Sequence, residues 1–152
     1  MKPRHESLAE FPVVITVPVL FGDQDAFGHV NNVVYLRWCE TARVEYLVRI
    51  GMWPELPPKQ VGPILAAVSC DYKKPVNYPD TLYIGARVTR IGNSSFRMAH
   101  RVVSKTLDIV VAQADSTIVT VDYSRSKPVP IPQACRKAIE ELEGRGLSAE
   151  PG

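Results

Sequence analysis

The residues best suited to chemistry lie in one short stretch of the chain, 21–32, which reads FGDQDAFGHVNN. It contains two carboxylates, Asp23 and Asp25, and the imidazole of His29, just before the predicted start of a helix. A helix N-terminus carries unpaired N–H groups and a positive potential, which suit an oxyanion or a polarised carbonyl. A carboxylate held beside it could attack a carbonyl carbon or activate a water molecule. The stretch therefore predicts carbonyl chemistry driven by a carboxylate.

A long helix is predicted directly after this stretch, from Val33 to Ile50. Asn31 or Asn32 can cap its start, and Gly51 can end it. Apolar residues recur at helical spacing and form an unusually wide stripe, which is typical of a helix wrapped by a sheet on most sides. These residues are Tyr35, Leu36, Trp38, Cys39, Ala42, Val44, Tyr46, Leu47, Val48 and Ile50.

Five strand-like runs accompany this helix, one before it and four after it. They are separated by turn signals such as VNYPD and GNSS. A proline-rich surface connection, 52–60, follows the helix, and a short terminal helix is predicted over 132–144, with Pro132 at its first position. The order predicts an α+β fold in which one antiparallel sheet of about five strands wraps a long central helix. The predicted strands are 12–20, 64–72, 81–91, 96–105 and 109–123.

Length and composition favour a single domain over 1–152, with a core over 11–125, a terminal helix over 132–144 and loose termini. The chain has 152 residues and is 45% hydrophobic, which is enough for one core without disulfides or metals. The formal net charge of +2 gives no broad basic field for nucleic acid. We therefore expect no nucleic-acid partner.

The cysteines and the first apolar run argue against an oxidising or membrane setting. Cys39, Cys70 and Cys135 are widely spaced and form no metal-binding pattern, so reduced, buried thiols and no metal are expected. The apolar run 11–21 is short and contains two prolines, so it predicts neither a signal segment nor a membrane span. The expected location is the cytoplasm.

The stretch Asp23 to Tyr35, D-x-D-x-x-G-H-V-N-N-x-x-Y, resembles the first signature of the 4-hydroxybenzoyl-CoA thioesterase-like hotdog proteins. The segment 71–96, DYKKPVNYPDTLYIGARVTRIGNSSF, is similar to the second signature. Together the two signatures and the strand order cover most of 11–123. The resemblance implies a hotdog fold and a homodimer in which two sheets join edge to edge, with active sites between protomers. Two such dimers could form a tetramer.

The resemblance also implies an activity, the hydrolysis of an acyl-CoA thioester to free acid and CoA. Asp25 then corresponds to the catalytic carboxylate, as nucleophile or general base, and the backbone N–H of Asn32 to the donor that polarises the thioester carbonyl. No bound cofactor is implied, because CoA is part of the substrate. Asp23 is predicted to make structural hydrogen bonds. The residues expected to line the site are Gly28, His29, Val30, Asn31 and Tyr35.

Some positions have two interpretations. The imidazole of His29 could act as a base, but in this motif it is expected to shape the loop. Glu40 lies on the central helix, where a related hotdog branch has its carboxylate, but its spacing to Arg43 suits a helix-surface ion pair. Basic residues near the second signature could meet the CoA phosphates or simply lie on a solvated surface. These residues are Lys73, Lys74, Arg90 and Arg97.

Substrate and activity each leave an alternative. The sequence His-Val-Asn-Asn at 29–32 resembles the branch that acts on aliphatic or varied acyl-CoAs rather than aromatic ones. Hotdog dehydratases and hydratases share the fold and leave the thioester intact, and a non-catalytic acyl-CoA binding module would release no product. The absence of a GxSxG elbow disfavours an α/β-hydrolase.

Overall fold

The computed structural model describes residues 5–52, 60–144 and 147, in which one curled antiparallel sheet surrounds a long helix. The long predicted elements are all present, and the largest difference is at β2, which begins at Val61 instead of Ile64. A two-residue strand, β6, was not predicted. Residues 53–59 of the predicted surface connection lie outside the described residues. The elements are β1 Val13–Pro18, α1 Asn32–Arg49, β2 Val61–Tyr72, β3 Thr81–Ile91, β4 Ser95–Ser104, β5 Ile109–Asp122, β6 Lys127–Pro128 and α2 Gln133–Glu143.

The sheet has the strand order β1-β3-β4-β5-β2, with β6 pairing only with the end of β5. All of these pairs are antiparallel. The chain crosses from β1 to β2 through α1, so the first two strands stand at opposite edges of the sheet. This confirms the predicted α+β architecture and leaves β2 as an edge strand of the described sheet.

The core lies between α1 and the inner face of the sheet. Strand residues alternate between this face and the outer face, and the inner ones are mostly apolar on β3, β4 and β5, with the buried His100 and Ser116 among them. On the helix, Trp38, Cys39, Ala42 and Tyr46 are each at most 4% exposed. Most of the wide apolar stripe is therefore buried, because the sheet curls around more than one side of α1, but Val48 of this stripe is exposed.

The sequence predicted that Glu40 and Arg43 both lie on the helix surface, and this prediction is wrong for Arg43. Glu40 is exposed, but the Arg43 side chain is only 6% exposed, near the buried His100. Burial lowers the pKa of Arg43, and the negative charge of Glu40 opposes this effect. The physical reason is the extent of the sheet, which covers a helix position that spacing alone assigns to solvent.

On the outer face, the N-terminal segment packs across the middle of β3. The Phe11 ring occupies the space over Gly85, where an added Cβ would lie 2.7 Å from ring atoms. The guanidinium groups of Arg87 and Arg101 lie 5.1 and 5.2 Å from the centroid of the same ring. Position 85 therefore requires glycine, because the N-terminal segment approaches β3 closely there.

One carboxylate of the C-terminal helix α2 bonds to both the central helix and the sheet. Tyr46 on α1 donates its hydroxyl proton to Glu143 Oε2 at 2.5 Å, and the Val88 N–H donates to the same oxygen at 3.0 Å. Ile139 of α2 is fully buried. Pro132 is the cap residue before α2 rather than its first helical residue, a difference of one position.

The cysteines are all free, with Cys39 and Cys135 buried and Cys70 half-buried, so the prediction of reduced thiols is consistent with the structure. Burial raises the pKa of Cys39 to about 12, which keeps this thiol protonated near neutral pH.

Within residues 5–52 and 60–144, no helix is both long and apolar enough to cross a membrane.

Candidate active site

The start of α1 is capped by Asn31, one of the two asparagines predicted for this role. Its Oδ1 accepts from the Val33 N–H at 3.1 Å, and its own N–H donates to the Asp23 carbonyl at 2.9 Å. Asn32 is the first helical residue. Its N–H finds no acceptor in the described part of the chain. One donor at the helix N-terminus is therefore available to a ligand.

Asp23 braces the loop before the helix, in agreement with the structural role expected for it. Its carboxylate is 6% exposed, and it accepts from the Leu20 N–H at 2.8 Å and from Arg37 Nη2 at 2.9 Å. Arg37 belongs to the second turn of α1, so this ion pair ties the loop to the helix. Both carboxylate oxygens are engaged, which leaves Asp23 poorly placed to react.

Asp25 lies at the corner of a tight turn and is exposed. Its Oδ1 accepts from the Phe27 N–H at 2.8 Å, and its backbone N–H donates to the His29 carbonyl at 2.7 Å. Gly28 adopts a φ of +80°, in the left-handed region that favours glycine. The turn holds the Asp25 carboxylate by one oxygen, and the other oxygen has no donor among the described residues.

A second segment, between β2 and β3, holds the same loop from the other side. The Val30 N–H donates to the Val76 carbonyl at 2.8 Å, and Asn77 Nδ2 donates to the Gly28 carbonyl at 2.7 Å. The position of the loop thus depends on residues far along the chain. These contacts explain why a short polar loop can keep one conformation.

Asp25 and Asn32 line one open cavity of about 250 Å³. The cavity has a carboxylate, a helix-end N–H and two lysines in its walls, so it could bind an anionic ligand and polarise a carbonyl. Its lining consists of Asp25, His29, Val30, Asn32, Tyr35, Tyr72, Lys73, Lys74 and Pro75.

Four predicted site residues lie outside this lining. Gly28 forms part of the loop turn, and Asn31 caps the helix. Arg90 and Arg97 stand directly opposite each other on β3 and β4 and are exposed. Their contact with CoA phosphates stays a prediction.

Tyr72 was not among the predicted site residues, although it lines the cavity. Its hydroxyl donates to the Asn32 carbonyl at 2.9 Å, and its ring meets the Tyr35 ring edge-on, with centroids 5.0 Å apart. Burial and the neighbouring Cys70 raise the pKa of Tyr72 to about 12. Only its place at the end of a strand, next to two lysines, was available as a signal.

Metal ligation by protein side chains requires several donor groups close together. In the described ranges, no three His, Cys, Asp or Glu side chains come together in a way that could hold a metal ion. The expectation that no cofactor is required stays a prediction.

A curled antiparallel sheet around a central helix, with a loop carboxylate beside the helix N-terminus, defines a hotdog-fold protein. The model of the Thioesterase-like superfamily matches residues 19–139. This match covers both the loop and the sheet. The chain therefore belongs to the thioesterase-like superfamily.

Individual relatives agree with this assignment. Acyl-CoA thioesterase YbgC of Haemophilus influenzae is 26% identical over 129 residues, which cover 84% of this chain and 93% of the relative. The 1,4-dihydroxy-2-naphthoyl-CoA hydrolase of Synechococcus sp. is 29% identical over 125 residues, covering 76% and 82%. A thioesterase from Thermus thermophilus, solved with coenzyme A and Zn, is 35% identical with a TM-score of 0.80, covering 91% and 99%. The chain is thus an enzyme of the thioester hydrolase class.

Proposed function

We propose that this enzyme hydrolyses an acyl-CoA thioester to the free acid and CoA in the cavity lined by Asp25 and Asn32. One observation carries the proposal: the Asn32 N–H, which has no acceptor among the described residues, shares a cavity with the Asp25 carboxylate. Acyl transfer needs this pair of groups, because negative charge develops on the carbonyl oxygen while a nucleophile attacks the carbon. The relatives named as CoA thioester hydrolases support the substrate class.

In the proposed mechanism, the thioester oxygen accepts from the Asn32 N–H, and the positive end of α1 stabilises the oxyanion. Asp25 then attacks the carbonyl carbon to form a mixed anhydride, or removes a proton from the water that attacks it. The carbon–sulfur bond breaks and CoA leaves as the thiolate, which takes up a proton. In the anhydride route, water then releases the acid and regenerates the Asp25 carboxylate.

Two lysines at the cavity are proposed to recognise the carrier. Lys73 and Lys74 follow β2 and line the cavity close to Asp25. Ammonium groups bind phosphate as point charges, so these side chains suit the phosphates of CoA. The aromatic rings of Tyr35 and Tyr72 would then contact the acyl group. We propose an aliphatic or varied acyl group, as the residues at 29–32 indicate.

The functional assembly is proposed to be a homodimer joined through the edge strand β2, with a tetramer as a possible dimer of dimers. An unpaired edge with exposed apolar side chains is a surface for strand pairing. The exposed large aliphatic residues of this strand are Val61, Ile64, Leu65 and Val68. We propose the cytoplasm as the location.

The proposal is tested by thiol release from a panel of short, long, branched and aromatic acyl-CoAs, measured with a thiol-reactive dye. Asp25→Asn keeps the size of the side chain and should lower turnover by roughly 10²- to 10⁴-fold. Asp115→Asn, an exposed aspartate on β5 outside the cavity lining, is the matched control and should keep full turnover.

Each other outcome has a meaning. Unchanged turnover in Asp25→Asn would remove this carboxylate from the mechanism. No thiol release by the wild type with any acyl-CoA would reject the proposal, and conversion of an enoyl-CoA with the thioester intact would indicate a hydratase. Tight acyl-CoA binding without any conversion would indicate a binding module.

A further inference from the structure

Tyr72 connects two elements that have few other contacts at the cavity. It is the last residue of the edge strand β2, whereas α1 packs mainly on β3 and β1. The Tyr72 hydroxyl reaches across to the start of α1 and donates to the Asn32 carbonyl at 2.9 Å. The first helical residue is therefore held by a side chain 40 positions away.

The bonded carbonyl belongs to the residue that offers its N–H to the cavity. The Asn32 N–H belongs to the peptide unit before the Asn32 Cα and the carbonyl to the unit after it, so the bond from Tyr72 fixes the unit next to the one that carries the N–H. The loop side is already fixed, because the Asn31 N–H donates to the Asp23 carbonyl. Tyr72 thus holds the peptide unit on the helix side of this donor.

The hydroxyl is itself held in place by ring packing. The Tyr72 ring meets the Tyr35 ring at an interplanar angle of 88°, and Tyr35 in turn packs on Trp38 with centroids 5.2 Å apart. Tyr35 is 2% exposed and gives this stack a rigid base. With the pKa of Tyr72 raised to about 12 by burial, the hydroxyl keeps its proton throughout the neutral range.

We propose that Tyr72 is a positioning residue for the reaction: through the Asn32 carbonyl it aims the Asn32 N–H at the oxygen where negative charge develops. This inference rests on the proposed function. A donor that is fixed before the reaction stabilises the transition state without reorganising. Loss of the tether should therefore lower kcat and leave KM nearly unchanged, because the ground-state carbonyl carries little charge.

The test compares two tyrosines that each donate to a backbone carbonyl. Tyr72→Phe keeps the ring stack and removes the hydroxyl. We expect kcat to fall about tenfold, less than the loss of an oxyanion donor itself, with KM within about twofold and the same loss at every pH between about 6 and 9. Tyr123→Phe is the matched control, since the Tyr123 hydroxyl donates to the Pro63 carbonyl near the other end of β2. This variant should keep the wild-type kcat.

A second measurement does not depend on turnover. In ¹H–¹⁵N spectra, Tyr72→Phe should shift the amide signals of Asn32 and Val33, and Tyr123→Phe should not. Amide signals that stay in place, or an unchanged kcat in an active enzyme, would overturn the inference. Shifted signals in a protein without thioesterase activity would show the tether and reject the proposed function instead, and with it the catalytic role of Tyr72.

Discussion

Two aspartates separated by one residue have different environments, and these environments divide their roles. Asp23 is buried, with both oxygens bonded to the Leu20 N–H and to Arg37. Asp25 is exposed at the cavity, and within the described residues its carboxylate accepts from one N–H only. A carboxylate whose two oxygens both accept hydrogen bonds stabilises the loop, whereas one with a free oxygen can react. The chemistry of this loop therefore depends on hydrogen bonding as much as on residue type.

At the same scale, His100 makes a prediction about stability and pH. It is 2% exposed, and burial, together with the neighbouring charge of Arg43, lowers its pKa to about 3. The unfolded chain, with a pKa near 6.5, binds a proton that the folded protein does not bind between pH 6.5 and 3. Folding stability should therefore fall as the pH drops below 6.5, by about 2 kcal/mol at pH 5.

Urea unfolding of the wild type and of His100→Gln, measured from about pH 7.5 to pH 5, checks this prediction. Glutamine can keep a hydrogen bond to the Ser116 hydroxyl, which lies 3.2 Å from His100 Nε2, but it does not titrate. The variant should lose less stability over this range than the wild type. Parallel curves for the two proteins would show that His100 is not the group responsible.

Individual residues also mark the limit of prediction from the sequence. Asp25 and Asn32 are predicted by a local motif, because these two residues of the cavity lining are close in the chain. No local motif predicts the surroundings of Tyr72 and Arg43, because these depend on how β2 and the curled sheet approach α1. A hydrogen bond across 40 residues leaves no pattern of spacing or composition.

At the scale of elements, the strong periodicities predicted the fold well. The central helix was placed within one residue at each end, and β3 was placed at its observed bounds. The short strand β6 was missed, since two residues cannot show an alternation. The start of β2 was missed because Gly62 and Pro63 weaken the strand signal. Backbone pairing with β5 overrides that weakness.

The contact between the N-terminal segment and β3 gives a prediction about packing. Gly85→Ala should destabilise the protein by about 1–3 kcal/mol, because the added Cβ would lie 2.7 Å from the Phe11 ring. Gly22→Ala is the control, since nothing lies within 4 Å of its added Cβ, and it should change stability by less than about 0.5 kcal/mol. Urea midpoints of the two variants measure the difference. Equal midpoints would show that the Phe11 segment moves aside without lowering the stability of the protein.

At the scale of the whole molecule, the exposed edge strand predicts self-association. Val68 is 42% exposed on β2, and a lysine there would place a charge in the proposed sheet-edge interface. Val68→Lys should therefore shift the protein from dimer to monomer in sedimentation velocity and lower thiol release with it. Ile109→Lys, at an exposed apolar position on β5, is the matched control and should remain dimeric. A wild type that sediments as a monomer would contradict the predicted dimer.

The cavity is built from two separate stretches of chain, and this has an evolutionary consequence. The groups proposed to react come from the loop and helix start, 25–35, whereas the opposite wall comes from 72–75 at the end of β2. Substitutions at 73–75 would change the contacts proposed for the CoA phosphates, and most of them leave the Asp25 turn intact. Among the wall residues, Tyr72 also bonds to the helix start, through the Asn32 carbonyl. Divergence in the recognition of the thioester carrier should thus concentrate at 73–75 among descendants of this gene, while Tyr72 changes least.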